Sequence, residues 1–150
     1  MKLSSRGRYA VMALADLACE ERGGCCSPVS IADIANRQRL PVAYLEQLFA
    51  QLRRAGVVAS TRGAAGGYRL AKGAAGTRIA DIVAAVDENL QATRCAEGGT
   101  GCLGGERCLT HDLWDALGDC IHGFLCSITL DDVIQGRVKP ARVEKARVEA

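Results

Sequence analysis

Three cysteines and one histidine between residues 95 and 111 carry the most distinctive chemistry in the sequence. Cys95, Cys102, Cys108 and His111 follow the spacing Cys-x6-Cys-x5-Cys-x2-His, with many glycines between them. Thiolate sulfur and imidazole nitrogen are ligands that suit an iron-sulfur cluster or a tetrahedral zinc ion. Structural zinc sites usually pair cysteines two to four residues apart, so the wide spacing leans toward a cluster. By itself, the spacing leaves a zinc ion and unliganded thiols open.

The cysteine content also bears on the compartment. The sequence has eight cysteines, and charges at Lys2 and Arg6 stand where a secretory signal would have its apolar stretch. We therefore expect a cytoplasmic protein, in which disulfides are disfavoured and clustered thiols act as ligands. The sequence has no run of roughly 18 apolar residues that could span a membrane, so a membrane partner is not expected. Three other cysteines are predicted to be small core residues: Cys19, Cys120 and Cys126.

The first half of the sequence is typical of a helix-turn-helix. A first helix is predicted to start at Ser4 or Ser5 and to end near Cys19. Ser30 and Asp33 have the spacing of a helix start, and they open a short helix that ends near residue 37. A third helix is predicted over residues 42–55, following a proline and stopping at a glycine. In this motif the later helix enters the major groove of DNA.

The third predicted helix has one apolar face and one polar face. At ~100° per residue, Leu45, Leu48, Phe49 and Leu52 share the core face. Gln47 on the opposite face can pair with adenine, whereas Glu46 can only accept, for example from cytosine N4. Because a carboxylate repels phosphates, we expect Glu46 to discriminate between sites rather than to add affinity. The other residues predicted on or beside this polar face are Ala43, Tyr44, Ala50, Arg53 and Arg54.

A hairpin follows the third helix. Residues 57–62 and 68–70 are predicted strands, and the glycine-rich stretch 63–67 forms the tip. Arg62 at the edge of the tip suits the minor groove, whose negative potential attracts a guanidinium group. Gly66 and Gly67 would let the tip approach DNA closely. The sequence therefore predicts a winged helix-turn-helix.

Charge is divided between the two halves of the chain. Residues 1–72 contain 11 basic and 5 acidic residues, whereas the remainder contains 8 basic and 12 acidic residues. A basic front half favours a polyanionic partner, since each lysine or arginine placed on a phosphate releases a counterion. Two histidines and no recognisable catalytic arrangement argue against an enzyme.

The second half is predicted to carry a short helix over residues 77–88, the cysteine loop and then a long helix from Leu109. Apolar residues on the long helix recur at steps of three and four, which is the pattern of a helix that packs against another helix. A second copy of the chain is expected to cover this seam, and the symmetric dimer would read a pseudo-palindromic operator. The alternative is that the seam packs inside its own monomer. The predicted dimer contacts are Trp114, Leu117, Ile121, Phe124 and Ile128.

Four stretches together resemble the IscR-type iron-sulfur cluster regulators, a family of winged helix-turn-helix transcription factors. The resemblance covers about residues 1–135, and the stretches that carry it are Ser5-Arg6-Gly7-Arg8-Tyr9-Ala10, Tyr44-Leu45-Glu46-Gln47-Leu48, Arg62-Gly63 with Gly66-Gly67-Tyr68, and Ala92-Thr93-Arg94-Cys95 through Cys108-Leu109-Thr110-His111. The Cys-Leu-Thr-His ending separates this family from nitric-oxide-sensing and iron-responsive relatives with the same winged half. A regulator of that kind is the alternative interpretation.

The resemblance implies a homodimeric regulator that senses cluster status and controls, mainly by repression, the iron-sulfur cluster assembly genes. The assembly machinery would be the source of its cluster. The resemblance also implies a 2Fe-2S cluster held by Cys95, Cys102, Cys108 and His111, although the first gap is one residue longer than the usual Cys-x5-Cys. Ser5 and Arg6 join the predicted DNA contacts. The predicted fold is mainly α, a winged helix-turn-helix with a small β wing and a long C-terminal dimerisation helix. The predicted units are a DNA-binding domain over residues 1–75, the cluster loop and dimerisation helix over 76–135, and a charged tail over 136–150.

Overall fold

The computed structural model describes residues 5–24, 27–86 and 107–140. Within these ranges the chain is mainly helical with one small antiparallel hairpin, which confirms the predicted fold class. None of the described helices is long and apolar enough to cross a lipid bilayer. The elements in chain order are α1 (Ser5–Arg22), α2 (Ile31–Gln38), α3 (Val42–Arg54), β1 (Val58–Thr61), β2 (Gly67–Leu70), α4 (Gly73–Gly76), α5 (Ile79–Val86), α6 (His111–Ser127) and α7 (Leu130–Ile134).

Local capping signals set the limits of α2 and α3. The Ser30 hydroxyl accepts from the backbone N–H of Asp33 at 3.1 Å, as the sequence predicts. Arg39 ends α2 in the left-handed region at φ 54°, and Pro41 then stands directly before α3. Gly56, at φ 74°, turns the chain out of α3 and into the hairpin. These turns give the two helices the arrangement of a helix-turn-helix.

The hairpin pairs β1 with β2 in the register Val58↔Leu70 through Thr61↔Gly67. The far edge of β2 has a second backbone neighbour, because Val29 and Tyr68 exchange both of their N–H···O bonds at 3.0 and 2.8 Å. The ring of Tyr68 also meets Phe49 of α3 edge to face, with centroids 4.8 Å apart. The base of the hairpin is therefore held to the body of the molecule.

A single hydrophobic core joins elements from both halves of the chain. Leu14 and Leu17 of α1, Phe49 of α3, Ile82 of α5 and Leu130 of α7 are all fully buried in it. Helices α5 and α7 thus pack on the same core as the helix-turn-helix. The division predicted at residues 75 and 76, and the predicted tail, stay predictions, and residues 141–150 lie outside the described ranges.

Several predicted helix limits differ from the observed ones: α5 begins at Ile79 rather than at residue 77, and α6 begins at His111 rather than at Leu109. Helix α1 continues to Arg22, three residues past Cys19. Helix α6 ends at Ser127 rather than including Ile128, which is extended at φ −100° and ψ 128°. Thr129 then caps α7: its hydroxyl accepts from the Asp132 N–H, and the Asp132 carboxylate accepts from the Thr129 N–H. The N-terminal cap of α7 therefore sets the C-terminal end of α6.

The prediction that three cysteines are core residues is wrong for two of them. Cys19 and Cys120 are exposed, and Cys126 is half-buried. The buried positions of α1 include Leu14, Leu17 and Ala18, and Cys19 is rotated ~100° from Ala18, away from the core. Apolar neighbours in the sequence do not determine on which face of the helix a cysteine lies.

Candidate nucleic-acid interface and cluster ligands

Helix α3 presents the two faces that its sequence predicts. Its core face is buried, as expected, at Leu45, Leu48, Phe49 and Leu52. The predicted groove face is mostly exposed. Its exposed residues are Ala43, Glu46, Gln47, Arg53 and Arg54, whereas Tyr44 and Ala50 are half-buried. Ser5 and Arg6, at the start of α1, are exposed as well. Their contacts with DNA stay predictions.

Tyr44 has a structural role in addition to its predicted place beside the groove. It is half-buried, and its ring meets that of Tyr9 at 5.9 Å between centroids and an angle of 88°. The guanidinium carbon of Arg8 lies 5.5 Å from the Tyr9 centroid. Edge-to-face and cation–π contacts of this kind favour a fixed orientation. Tyr44 therefore ties the first turn of α3 to α1.

The wing glycines are required by the fold itself. A Cβ on Gly66 would lie 2.4 Å from the carbonyl oxygen of Thr61, and a Cβ on Gly67 would lie 2.4 Å from that of Val29. Both distances are far below van der Waals contact. The predicted role of these glycines in approaching DNA is untested, but close backbone packing is sufficient to require them.

Two wing residues relate the hairpin to the groove face. Arg62 is exposed directly after β1, where it is free to reach a ligand. Arg53 of α3 contacts the Ser60 hydroxyl of β1 at 3.5 Å, the long limit of a hydrogen bond. Sequence reasoning assigned Arg53 to DNA and missed this partner, because a contact between a helix and the following strand has no local signature.

Not every basic residue of the front half is available to a polyanion. Arg37 of α2 donates to Asp16 of α1, with Nη2 2.7 Å and Nε 3.0 Å from Oδ2. This hydrogen bond raises the pKa of Arg37 above its ordinary value. Gln38 donates to the other carboxylate oxygen at 3.0 Å. Arg37 is therefore part of the scaffold that fixes α2 against α1.

Two of the four predicted cluster ligands lie together at the start of α6. The His111 N–H donates to the Cys108 carbonyl at 3.1 Å, so one turn carries both residues. The Cys108 sulfur lies 3.5 Å from the Thr110 hydroxyl and is half-buried, and His111 is only 8% exposed. Cys95 and Cys102 lie outside the described residues.

This turn fits part of a metal or cluster site. A thiol and an imidazole on one turn supply a sulfur and a nitrogen ligand, and the limited exposure of His111 keeps its ring from bulk water. Within residues 5–24, 27–86 and 107–140 no group of three or more metal-binding side chains is found. The other two predicted ligands, Cys95 and Cys102, belong to the part of the chain outside these ranges.

The predicted dimer seam on α6 is covered unevenly. Leu113 is 60% and Trp114 is 39% exposed, and Leu109, just before the helix, is fully exposed. Leu117, Ile121 and Phe124 are half-buried. Ile128 packs against the monomer core, and its carbonyl accepts from the Ile79 N–H at 3.0 Å. The monomer thus covers the C-terminal end of the seam and leaves the N-terminal end open.

Comparison with known proteins agrees with this architecture. A model of the Rrf2 family, described as an iron-dependent transcriptional regulator, matches residues 3–136. The HTH-type transcriptional regulator IscR of Photorhabdus laumondii is 50% identical over 137 residues, which is 91% of this chain and 81% of that protein. IscR of Escherichia coli O1:K1 is 47% identical over 137 residues, 91% of this chain and 82% of the relative.

Solved structures give the same result. The structure of T. potens IscR superimposes with a TM-score of 0.73 and 36% identity, covering 92% of this chain and 89% of the other. CymR, the global cysteine regulator of B. subtilis, superimposes with a TM-score of 0.75 and 31% identity, covering 91% and 98%. The family match over residues 3–136 spans α1 through α7, so the chain belongs to the Rrf2 family of winged-helix, DNA-binding transcriptional regulators.

Proposed function

We propose that this regulator senses iron-sulfur cluster status through a bound 2Fe-2S cluster and mainly represses the genes for cluster assembly. The observation that carries the proposal is the turn before α6, where Cys108 and His111 stand three residues apart with the imidazole nearly buried. Cys95 and Cys102 are the proposed third and fourth ligands. The protein acts in the cytoplasm, where the assembly machinery is its cluster source.

The ligand set favours a labile group. When bound, the cluster supplies a redox-active centre whose presence depends on iron and sulfide supply. His111 contributes a neutral nitrogen in place of a fourth thiolate, which makes the site less negative. The IscR relatives favour a cluster over a structural zinc ion, although the same four side chains would also hold zinc.

The path from the ligand turn to DNA runs through packed helices. Helix α6 contacts α5, and α5 packs against both α1 and α3. Arg78, directly before α5, donates to the carbonyl of Cys126 near the end of α6. A change in how the ligand turn holds α6 is therefore passed to the element behind the groove face of α3. Occupancy of the site biases the arrangement of the DNA-reading surface by this route.

DNA is read by a homodimer. The open end of the α6 seam at Leu113 and Trp114 would be covered by a second copy, which sets two α3 helices against a pseudo-palindromic operator. Gln47 and Glu46 read base edges in the major groove, and Arg62 enters the minor groove. The other proposed contacts are Ser5, Arg6, Ala43, Tyr44, Arg53, Arg54, Gly66 and Gly67.

Spectroscopy of the anaerobically purified protein tests the cluster. We expect a brown protein with iron and sulfide in equal amounts and a 2Fe-2S signature in absorption and Mössbauer spectra. Replacing Cys95, Cys102, Cys108 or His111 by Ala should each lower cluster content, whereas Cys19→Ala, at an exposed thiol, is the matched control and should not. A colourless protein holding one zinc ion would overturn the proposal and leave the DNA-binding half intact. An iron- or nitric-oxide-sensing relative is the remaining alternative.

A further inference from the structure

The outer edge of strand β2 is completed by a side chain. At the start of this edge, the backbone of Tyr68 bonds to the backbone of Val29: the Tyr68 N–H donates at 2.8 Å and the Tyr68 carbonyl accepts at 3.0 Å. Alternate residues of a strand direct their N–H groups to the same edge, so the next N–H on this edge belongs to Leu70. That N–H donates to Oε1 of Glu21 at 2.9 Å. The carboxylate stands where a third strand would place a carbonyl oxygen.

Glu21 reaches this edge from a distant part of the chain. It lies in the last turn of α1, is half-buried, and is 49 residues from Leu70 in sequence. A hydrogen bond to an ionised acceptor is stronger than one between neutral groups, and partial burial limits its competition with water. The bond therefore joins the C-terminal end of the wing directly to α1.

The wing needs such anchors because it is small. Each strand has four residues, and an isolated two-stranded hairpin is marginally stable in water. On the other side, Arg53 contacts Ser60 at 3.5 Å between exposed groups, which contributes little. The shorter, half-buried bond from Glu21 holds the end of β2 more firmly than that contact holds β1.

We propose that Glu21 is a positioning residue for DNA binding. It fixes the angle of the hairpin to α1, and through the shared core to α3, so that Arg62 reaches the minor groove while α3 lies in the adjacent major groove. Glu21 itself touches no nucleotide. The inference rests on the proposed role of Arg62 and assigns a function to a carboxylate in a basic half of the chain.

Two substitutions by side chains about as long as Glu separate the effect of the hydrogen-bond acceptor from the effect of side-chain volume. Glu21→Gln keeps an oxygen that accepts from Leu70, whereas Glu21→Met removes it. Glu20→Gln on the neighbouring position is the matched control, since the Glu20 carboxylate lies 3.9 Å from Arg37 Nε and, among the described residues, makes no closer ion pair. The probe is a duplex selected from a random-sequence pool by the wild-type protein. We expect Glu21→Met to bind it about tenfold more weakly, and Glu21→Gln and Glu20→Gln to bind within about twofold of wild type.

A double-mutant cycle distinguishes positioning from general loss of stability. Glu21→Met should have little further effect in an Arg62→Ala background, whereas its effect should add to that of Gln47→Ala. Without DNA, the Leu70 amide hydrogen should exchange faster in Glu21→Met than in wild type, and at the wild-type rate in Glu21→Gln and Glu20→Gln. Wild-type affinity, or unchanged Leu70 exchange, in Glu21→Met would overturn the inference, as would full additivity with Arg62→Ala. If wild-type protein selects no duplex from the pool, DNA binding itself fails.

Discussion

Arg37 of α2 donates two hydrogen bonds to one carboxylate oxygen of Asp16 of α1, from Nη2 at 2.7 Å and from Nε at 3.0 Å. The Asp16 side chain is only 9% exposed, against 37% for Arg37. The contact therefore fixes the first helix of the helix-turn-helix against α1, and it uses an arginine that charge counting assigns to the DNA-binding surface. A basic residue in this half of the chain is not automatically a phosphate contact.

Replacing Arg37 by Ala should lower the free energy of unfolding by about 1–2 kcal/mol, because Asp16 keeps only its bond from Gln38. Arg37→Lys should recover part of this loss, since an ammonium group cannot make the two-nitrogen contact. Urea denaturation measures both. Arg54→Ala, at an exposed position on α3, is the control and should stay within about 0.5 kcal/mol of wild type. Equal stability of all four proteins would contradict the assigned role.

The wing glycines give a second prediction. Gly66→Ala and Gly67→Ala should each destabilise the free protein by about 1–3 kcal/mol, because the new Cβ would lie 2.4 Å from a backbone oxygen. The measurement is thermal unfolding without DNA, with Ala65→Ser at the exposed tip as the control. If both variants unfold like wild type but bind DNA less tightly, the glycines serve DNA approach rather than the fold.

Parts of this molecule that depend on neighbouring residues could be predicted from the sequence. Ser30 and Asp33 predict the start of α2, and the helical spacing of Leu45, Phe49 and Leu52 predicts the buried face of α3. The end of α6 also has a local signal, which the prediction missed: Thr129 and Asp132 have the spacing of a capping box. Local hydrogen bonds leave local patterns.

Contacts between distant residues left no such pattern. Glu21 and Leu70, Asp16 and Arg37, and Tyr9 and Tyr44 meet only after the helices pack. The cluster ligands were predicted from residue type and spacing, but two of them, Cys95 and Cys102, fall outside the described residues. The residue types that could bind a ligand are thus easier to predict from sequence than the tertiary contacts that orient their side chains.

Acid should destabilise α7 and the residues that flank it. The pKa of Asp131 is lowered by its hydrogen bonds with Gln135 and Arg137, and that of Asp132 by its bonds with Thr129. A carboxyl whose pKa is lower in the folded state stabilises the fold above its unfolded pKa of about 3.9 and loses that effect as pH falls through the folded value. We therefore expect a constant contribution at neutral pH and a loss below about pH 4.

Urea midpoints measured across this pH range check the assignment. Asp132→Asn should lower the urea midpoint at pH 7, because the carboxylate that accepts from Thr129 is lost. The midpoint should then decline less steeply in acid, because the variant lacks the carboxyl group whose protonation destabilises the wild-type fold. Asp119→Asn, at an exposed position on α6, is the control and should follow the wild-type profile. Identical acid profiles for wild type and Asp132→Asn would show that the capping box does not contribute to stability.

Glu46 should govern which operators are bound. It is exposed on the groove face, so Glu46→Ala should fold like wild type, and any change in binding reflects contact with DNA. Its carboxylate accepts from cytosine N4 but repels phosphate, so the variant should bind non-cognate duplexes more tightly and lose about tenfold of its discrimination at the contacted base pair. Glu46→Gln removes the charge and keeps an acceptor, so it separates repulsion from base reading. Titrations of two operator classes, with and without cluster, measure these effects, and unchanged affinity for both classes in both states would remove Glu46 from the specificity mechanism.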